Sequence, residues 1–386
     1  MRQKIAIIDS VSARGGSHNL YLFGQSIGLI NSGSDVRLFT NDLTQNPQIK
    51  GLDIKKFYKG IFGRRIKLIA GFLYLIGSIR SIIGAKNFGA KICHFHLFHV
   101  NILVCFDLIF SKIMGLKVVY TVHDVLSNLE KNKSSSRLTN FVLSKADSLI
   151  THNEFSKKQM LSIFSELNND ISVIPHGNYL PFISDAKSKK FSRKHLGISD
   201  DKKIILFFGM IKKIKGLEFL LESLPKVISS HPDLVLLIAG KSWEDDFSFY
   251  QSIINRNKMQ QHCIIVNKYI PSNEVSNYFG ASDLLVLPYT RISQSGVLLM
   301  AMSYSLPVLS SDLEPFTELI KDNKTGFIFK NQDVNSLANK LISIFNNPSL
   351  LKYTSKNAMN LIKKEFNWDR IGFLVQSVYK YIEKKN

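Results

Sequence analysis

Short hydrophobic runs alternate with longer stretches of helical periodicity along the first half of the chain. The runs that we interpret as buried strands are residues 5–9, 36–40, 91–96, 118–122, 148–151 and 172–174. Continuous apolar runs of this length, separated by amphipathic stretches, are typical of a parallel sheet that helices cover on both faces. The pattern therefore predicts an α/β domain of the doubly wound type.

The same alternation begins again in the second half. Its predicted strands are residues 203–208, 234–239, 263–266, 283–287 and 307–310. Between the halves lies a Lys- and Ser-rich segment, residues 184–194, which we interpret as the linker. A chain of 386 residues also suits two domains better than one. We therefore predict doubly wound domains at residues 1–183 and 195–366, with ligands at the carboxyl ends of their strands.

One predicted helix, residues 66–83, has two open interpretations. It carries large apolar residues on one face, namely Ile66, Ile69, Phe72, Leu73, Ile76, Ile79 and Ile83. Lys67 and Arg80 leave only about a dozen uncharged residues between them, too few to span a bilayer. The helix is either a core-facing helix of the first domain or a basic amphipathic helix in a membrane interface. The cations at residues 55–67 slightly favour the membrane.

The formal net charge of +20 indicates an acidic partner, with a solubilising surface in a Lys- and Asn-rich proteome as the alternative. Residues 1–190 hold about 25 Lys and Arg against 12 Asp and Glu, so most of the excess lies in the first half. An anionic membrane surface and phosphorylated substrates both fit this charge. A nucleic-acid-binding protein would show aromatic residues on a charged face and a known module. The sequence shows neither, so we expect no nucleic-acid partner.

The three cysteines, Cys93, Cys105 and Cys263, are odd in number and have no paired spacing. This pattern fits a reducing cytoplasm and indicates neither a disulfide framework nor a zinc site. No long apolar run follows a basic start at the N-terminus, so we expect no cleaved signal peptide. The expected location is therefore cytoplasmic, with peripheral attachment to the inner face of the cell membrane as an open alternative.

A turn after the first strand is the first candidate site. Arg14, Gly15 and Gly16 follow the run 5–9 and precede a helix. Two glycines let the backbone pass close to a ligand, and a helix start favours a phosphate. The spacing lacks the GxGxxG of a dinucleotide fold.

A second candidate follows the run 118–122, where His123 and Asp124 end a strand. The imidazole can donate a hydrogen bond to a sugar hydroxyl or a phosphate, and Asp124 can orient it. A structural histidine at a strand end is the alternative. His94 and His96 lie two apart on a strand without a carboxylate companion, so we predict no metal site.

The second half carries a lysine-rich turn, residues 209–216, at the end of a buried strand. Lys212, Lys213 and Lys215 lie between Gly209 and Gly216. Ammonium groups at this topological point can bind a diphosphate, whereas a solvated loop would not require the flanking glycines. The turn is therefore predicted to bind a phosphorylated ligand.

An apolar helix opens further along, where Gln294 and Ser295 precede Gly296 and Val297. A helix that begins at Ser and Gly offers free N–H groups and the positive end of its dipole to an anion. We assign this helix start, together with Tyr269, to the same ligand as the lysine-rich turn.

With these residues in hand, the chain resembles the large retaining family of GT-B glycosyltransferases, the glycosyl transferases group 1 of the bacterial family-4 type. The resemblance covers nearly the whole chain and rests on GG at 15–16, TVHD at 121–124, VIPHG at 173–177, FFGMIKKIKG at 207–216 and SQSGVLLMAMSYSLPV at 293–308. It implies an acceptor-binding first domain, a nucleotide-sugar-binding second domain and a last helix, 367–386, that packs back on the first domain.

The chain departs from the family pattern at the paired glutamates, where Ile292 and Met300 stand, and at the usual Arg, where Met210 stands. It resembles a subgroup with Gln-Ser-Gly in their place. The expected activity is transfer of a hexose from a UDP- or GDP-linked sugar to a saccharide or lipid-linked acceptor in surface polysaccharide synthesis. Retention of configuration is implied by the resemblance, and no metal or other cofactor is expected. A sugar-nucleotide epimerase of GT-B fold and a non-catalytic basic membrane- or nucleic-acid-binding protein are the alternatives.

Each candidate residue has an expected role in this reaction. His123, Lys212 and Lys215 are predicted to be catalytic, the last two by stabilising charge on the departing diphosphate. Asp124 and Arg14 are predicted to contact the acceptor or a sugar. The predicted donor-binding residues are Gly15, Gly16, Gly209, Tyr269, Gln294, Ser295, Gly296 and Val297.

Overall fold

The chain forms two compact units in a computed structural model that describes residues 2–12, 18–63, 66–124, 133–164, 167, 170–183, 187–243 and 246–385. The first unit comprises Met1–Gly177 and Phe366–Asn386, and the second comprises Asn178–Glu365. Each unit has a parallel sheet with helices between its strands. The predicted fold class, two Rossmann-like doubly wound α/β units, is confirmed.

The first unit is built on a seven-stranded parallel sheet in the order β3-β2-β1-β4-β5-β6-β7. Its strands are β1 (Lys4–Ile8), β2 (Asp35–Asn41), β3 (Leu52–Tyr58), β4 (Ile92–Leu97), β5 (Lys117–Val122), β6 (Ser148–Thr151) and β7 (Ile171–Val173). Its helices are α1 (His18–Asn31), α2 (Lys67–Phe88), α3 (Ile102–Ile113), α4 (Lys133–Lys145), α5 (Glu154–Ile163) and, from the chain end, α14 (Trp368–Lys384). Every residue of β4 is buried, as expected for a central strand covered on both faces.

The second unit has a six-stranded parallel sheet in the order β10-β9-β8-β11-β12-β13. Its strands are β8 (Lys203–Phe208), β9 (Leu234–Ala239), β10 (Cys263–Val266), β11 (Leu284–Leu287), β12 (Val308–Ser311) and β13 (Phe327–Phe329). Its helices are α6 (Lys189–Leu196), α7 (Leu217–Ser230), α8 (Ser248–Arg256), α9 (Val275–Ala281), α10 (Gly296–Ser303), α11 (Glu314–Thr317), α12 (Val334–Phe345) and α13 (Pro348–Glu365). The sheet order reverses between β8 and β11, so the ends of these two strands flank the switch point where such sheets bind ligands.

Two strands lie outside the prediction. β3 is an edge strand whose residues are mostly half-buried and include Lys55 and Lys56, so its apolar pattern is weak. β13 is only three residues long and also lies at an edge. Edge strands need not be apolar on both faces, which explains why the hydrophobic pattern missed β3. β13 is the apolar run Phe-Ile-Phe, and three residues are too few to distinguish a strand by pattern.

The interpretation of residues 184–194 as a linker is wrong for the part that the structure describes. Ser188 caps α6, and its hydroxyl accepts a hydrogen bond from the Phe191 amide at 3.3 Å. Arg193 is buried in the second unit, where it donates to the Asp283 carboxylate at 2.9 Å and to the carbonyl of Ala281 at 3.1 Å. A Lys- and Ser-rich composition suggested a linker, but one arginine with buried partners anchors the helix. The units divide after Gly177, rather than after residue 183.

Helix α14 packs against α1 in the first unit through glycines. A methyl group on Gly28 would lie 2.0 Å from the Trp368 carbonyl oxygen, and one on Gly372 would lie 2.1 Å from the Gly28 backbone. A methyl group on Gly24 would meet the Trp368 ring at 2.0 Å. The two helices therefore approach more closely than any residue with a Cβ allows.

Gly28→Ala is expected to lower the free energy of unfolding by about 3 kcal/mol or more, because the methyl group meets rigid backbone rather than a flexible side chain. Urea denaturation measures this loss. Gly71→Ala is the matched control, since Gly71 lies within α2 and has no atom within 4 Å of the added methyl group. There the helix propensity of alanine should raise stability by about 1 kcal/mol. Equal stability of the two variants would contradict the close packing.

Candidate functional site

The lysine-rich turn, residues 209–216, follows β8 in the second unit. Gly209 has φ +100°, a conformation that other residues rarely adopt. Gly240 after β9 packs on it so closely that a methyl group there would lie 1.9 Å from the Gly209 carbonyl oxygen. The turn then pairs with the segment after β9, since the Ile211 amide donates to the Lys241 carbonyl at 3.0 Å and the Trp243 amide donates to the Ile211 carbonyl at 2.8 Å. Backbone contacts with the segment after β9 thus fix the turn at Gly209 and at Ile211.

The end of the turn is fixed to the segment after β11. Gly216 has φ +66°, and a methyl group on it would lie 1.9 Å from the Pro288 carbonyl oxygen. The Thr290 amide donates to the Ile214 carbonyl at 3.0 Å. The two glycines that flank the lysines are therefore required by close backbone approach and by positive φ angles.

The three lysines of the turn differ in their surroundings. Lys212 is half-buried, with its Nζ 3.9 Å from the centre of the Trp243 ring. Lys215 is also half-buried, with its Nζ 3.7 Å from the centre of the buried Tyr289 ring. Lys213 is exposed. A cation held over an aromatic face is positioned before any ligand arrives, so Lys212 and Lys215 are the preorganised pair.

Helix α10 begins beside this turn. The Ser295 hydroxyl accepts from the Leu298 amide at 3.2 Å, which leaves the amides of Gly296 and Val297 in the first turn for a ligand. Val297 Cγ2 would lie 3.6 Å from a methyl group on Gly209, so the helix start and the lysine-rich turn are neighbours. Lysines and backbone amides thus occupy the same end of the second sheet.

The remaining predicted donor residues of this unit have mixed placements. The Gln294 Oε1 is buried and has no hydrogen-bond partner among the described residues, so it can accept from a ligand hydroxyl. Ile292 and Met300, where the family has its glutamates, are half-buried. Tyr269 lies three residues beyond β10 and is 64% exposed. Arg14, Gly15 and Gly16 lie outside the described residues.

The first unit carries a cluster of buried histidines, which we call the histidine cluster. Its members are His18 at the start of α1, His94 and His96 on β4, His123 after β5, His152 after β6 and His176 after β7. β4, β5, β6 and β7 are successive strands of the sheet, so their carboxyl ends bring the rings together. Among the described residues, no group of three potential ligands is arranged to hold a metal ion.

Three of these rings form a hydrogen-bonded chain. The Ile174 carbonyl can only accept, so His152 Nδ1 donates to it at 3.0 Å. His152 Nε2, which lies 3.2 Å from His123 Nδ1, then accepts from it. His123 Nε2 in turn accepts from His96 Nδ1 at 3.0 Å. The backbone carbonyl therefore fixes the tautomer of every ring along the chain.

The side-chain amide of Gln25 ends this chain, at 3.0 Å from His96 Nε2 and 3.5 Å from His94 Nδ1. If its carbonyl faces His96, one ring of the chain must carry a second proton. If its NH₂ group faces His96, all three rings are neutral and every bond is satisfied. Burial favours the neutral arrangement.

Burial governs the protonation of the whole cluster. It lowers the pKa of His152 to about 4 and the pKa values of His94 and His176 to about 3. Burial, with a smaller contribution from neighbouring imidazoles, lowers the pKa values of His96 and His123 well below their usual range. These five rings are therefore uncharged at neutral pH.

His123 is only 7% exposed, and both of its ring nitrogens are bonded to other histidines. His96 and His152 hold both ring nitrogens, and the expected orienting role of Asp124 stays a prediction. The ring also stacks on Phe98, with centroids 4.6 Å apart. The predicted contact of His123 with a ligand stays a prediction, and it requires one of these hydrogen bonds to exchange.

A buried pair that sequence reasoning missed lies beside this ring. His18 Nε2 is 2.9 Å from the Asp9 carboxylate, and both side chains are almost fully buried. The other Asp9 oxygen accepts from the amides of Val11 and Ser12. Asp9 ends the first predicted strand and His18 follows the Gly-Gly turn, so strand-end position was the signal that could have identified them.

The chain matches two family models and several known proteins. A family model described as "Glycosyl transferases group 1" matches residues 188–361, and one described as "Glycosyltransferase Family 4" matches residues 20–178. The chain is 26% identical over 325 residues to the Escherichia coli UDP-Gal:alpha-D-GlcNAc-diphosphoundecaprenol alpha-1,3-galactosyltransferase, with 81% of this chain and 80% of that protein covered. Matches to two Bacillus subtilis relatives and one from Methanocaldococcus jannaschii cover 67%, 52% and 59% of their lengths, so the chain spans between half and two thirds of those proteins.

Solved structures share the fold at low sequence identity. The sucrose-phosphate synthase of Thermosynechococcus elongatus superposes with a TM-score of 0.79 at 17% identity, over 100% of both chains. Anabaena Alr3699/HepE, solved in complex with UDP and glucose, has a TM-score of 0.75 at 16% identity, over 98% of this chain and 100% of that one.

Proposed function

We propose that this chain, which is a glycosyltransferase of the GT-B type, transfers a hexose from a UDP- or GDP-linked sugar with retention of configuration and without a metal ion. The proposed acceptor is a saccharide or a lipid-linked oligosaccharide of surface polysaccharide synthesis. The name of the Escherichia coli relative, which includes a UDP-sugar donor and a diphosphoundecaprenol acceptor, supports this choice.

One observation carries the proposal. Lys212 and Lys215 are held over aromatic rings in a turn that touches the start of α10. Negative charge develops on the nucleoside diphosphate as the sugar leaves. Fixed ammonium groups and the Gly296 and Val297 amides can stabilise that charge without reorganising. In metal-dependent enzymes a divalent ion provides positive charge to the diphosphate. Here the ammonium groups and backbone amides can provide it, which supports a metal-independent reaction.

The buried Gln294 Oε1 can accept a hydrogen bond from a hydroxyl of the nucleotide sugar. In the family pattern, the paired glutamates would bind such a hydroxyl. Ile292 and Met300 have no such acceptor, so the contacts to sugar and ribose differ from the family pattern. In a retaining transfer the departing diphosphate itself can take the acceptor's proton. The proposal therefore needs no separate protein base.

Isothermal titration calorimetry with UDP, GDP and their common hexose conjugates tests the donor. We expect either the UDP or the GDP compounds to bind. Excess EDTA should change neither the affinity nor the rate at which the nucleotide sugar is hydrolysed. Binding that requires a divalent ion would contradict the metal-independent arrangement. No binding of any UDP- or GDP-linked sugar would overturn the proposed donor class.

A further inference from the structure

Helix α2 buries mainly small residues together with Ile82, and it exposes several of its large apolar residues. Its buried residues are Gly77, Ser78, Ser81, Ile82 and Ala85. Large side chains on another face of the helix are exposed, with Ile69 at 40%, Phe72 at 64% and Leu68 at 86%. The apolar face that the sequence suggested for the core is therefore largely not the face that packs on the first unit.

Neighbouring α3 exposes further large apolar residues. It packs beside α2, where the Tyr74 hydroxyl donates to the Asp107 carboxylate at 2.6 Å. The α2–α3 surface, as we define it, comprises the exposed Ile69, Phe72, Ile79 and Ile83 of α2 with Ile109 and Ile113 of α3. Exposed apolar residues at this density indicate an interaction site rather than ordinary surface.

Many cations lie in and near α2 along the chain, without acidic neighbours in sequence. Between Asp53 and Asp107 the chain contains no Asp or Glu, while it contains Lys or Arg at residues 55, 56, 59, 64, 65, 67, 80, 86 and 91. Lys56, Lys59, Lys67, Arg80 and Lys86 are exposed, and none of them has an ion pair among the described residues. Asp107, the next acid along the chain, is buried under Tyr74.

We propose that the α2–α3 surface docks on an anionic lipid bilayer. Apolar side chains on a helix can enter the boundary of the acyl chains while flanking cations contact anionic headgroups. A second copy of the chain fits less well, because a twofold contact would place the same cations against one another. An exposed apolar face, with exposed cations beside it of which Lys56, Lys59, Lys67, Arg80 and Lys86 have no ion pair among the described residues, matches a lipid surface.

The helix lies on the bilayer rather than crossing it. The expectation that this segment is too short to span a bilayer is wrong, because α2 extends over 22 residues and is long and apolar enough by length and composition, with 28% of its most apolar window buried. Its C-terminal half is nevertheless held in the first unit, where a methyl group on Gly77 would lie 2.5 Å from the Tyr58 ring. To span a bilayer, α2 would have to break the contact between Gly77 and the buried Tyr58, so we expect it to lie on the membrane surface.

Docking would bring the first unit to acceptors that are themselves in the membrane. In this respect the inference deepens the proposed function, because it favours the lipid-linked acceptor over a soluble saccharide. The docking itself does not depend on the donor or on the reaction. Lipid binding and nucleotide binding can therefore fail independently.

The test is co-sedimentation of the full-length chain with vesicles. We expect binding to vesicles of phosphatidylcholine with about one third phosphatidylglycerol, and little binding to phosphatidylcholine alone. Raising NaCl from 0.1 to 0.5 M should weaken binding several-fold. The double variant Phe72→Asp/Ile79→Asp and the double variant Arg80→Glu/Lys86→Glu should each lower the affinity at least tenfold. Nucleotide binding measured by calorimetry should stay unchanged in both variants.

Phe249→Asp is the matched control, because Phe249 is 54% exposed on α8 of the second unit and should not affect lipid binding. If an aspartate variant fails to fold, the binding of the unmodified chain to neutral and anionic vesicles at low and high salt still tests the proposal. Binding that is equal for neutral and anionic vesicles, or absent from both, would overturn the proposal. So would a concentration-dependent dimer that Phe72→Asp/Ile79→Asp abolishes without any lipid binding.

Discussion

Replacing Lys215 with alanine is expected to lower kcat at least 100-fold while leaving the fold intact. Its Nζ is held 3.7 Å from the centre of the Tyr289 ring, so its charge is positioned before the donor binds. Removing one preorganised donor to a developing negative charge typically costs about 3 kcal/mol in the transition state. Steady-state kinetics with the donor identified by calorimetry measures the effect.

Lys213 provides the control within the same turn. It is exposed, whereas Lys212 and Lys215 are half-buried over aromatic rings. Lys213→Ala removes the same charge from the same turn and should change kcat less than about fivefold, because an exposed charge is screened by solvent. Equal losses in the two variants would show that only the net charge of the turn matters. Full activity of Lys215→Ala would place the diphosphate elsewhere.

Acidification from pH 7 to pH 5 is expected to unfold the first unit. His94, His96, His123, His152 and His176 are buried with lowered pKa values, while in the unfolded chain they titrate near pH 6.5. Below that pH the unfolded state binds more protons than the folded state, so stability falls as the pH falls. The loss continues down to the folded pKa values, which are about 3 for His94 and His176 and about 4 for His152.

The expected loss is large because five rings act together. At pH 5 each of His94, His152 and His176 contributes a loss of about 2 kcal/mol relative to pH 7, together about 6 kcal/mol, and the lowered pKa values of His96 and His123 add to this loss. A whole domain is usually stable by about 5–15 kcal/mol. The first unit should therefore unfold near pH 5, and in urea titrations at half-unit pH intervals its free energy of unfolding should fall steeply as the pH falls.

The two tryptophans allow the unit to be followed on its own. Trp368 is buried in the first unit, 5.4 Å from Tyr21 and 6.2 Å from His176 between ring centres, while Trp243 is exposed in the second unit. In a Trp243→Phe variant, fluorescence reports only Trp368. His152→Gln removes one titrating ring. The free energy of unfolding should then depend less steeply on pH, by the equivalent of about one proton. A midpoint that stays constant between pH 7.5 and 5.5 would contradict the buried neutral cluster.

The sequence determined the features that depend on local pattern. Continuous apolar runs identified eleven of the thirteen described strands, because a strand covered on both faces must be apolar on both. The lysine-rich turn was identified from Gly209 and Gly216, since positive φ angles and close backbone contacts require glycine there. The start of α10 was identified from Ser295, which does cap the helix.

Only the tertiary structure showed the contacts between residues that are far apart in the sequence. No local pattern shows that His96, His123 and His152 would meet, because their contact follows from the order of β4, β5 and β6 in the sheet. The same holds for the rings under Lys212 and Lys215, which come from the segments after β9 and β11. Sequence periodicity located the apolar stripe of α2, but only packing showed that its small residues face the sheet. Periodicity records which residues share a face, whereas the direction of that face is set by the neighbours that the fold supplies.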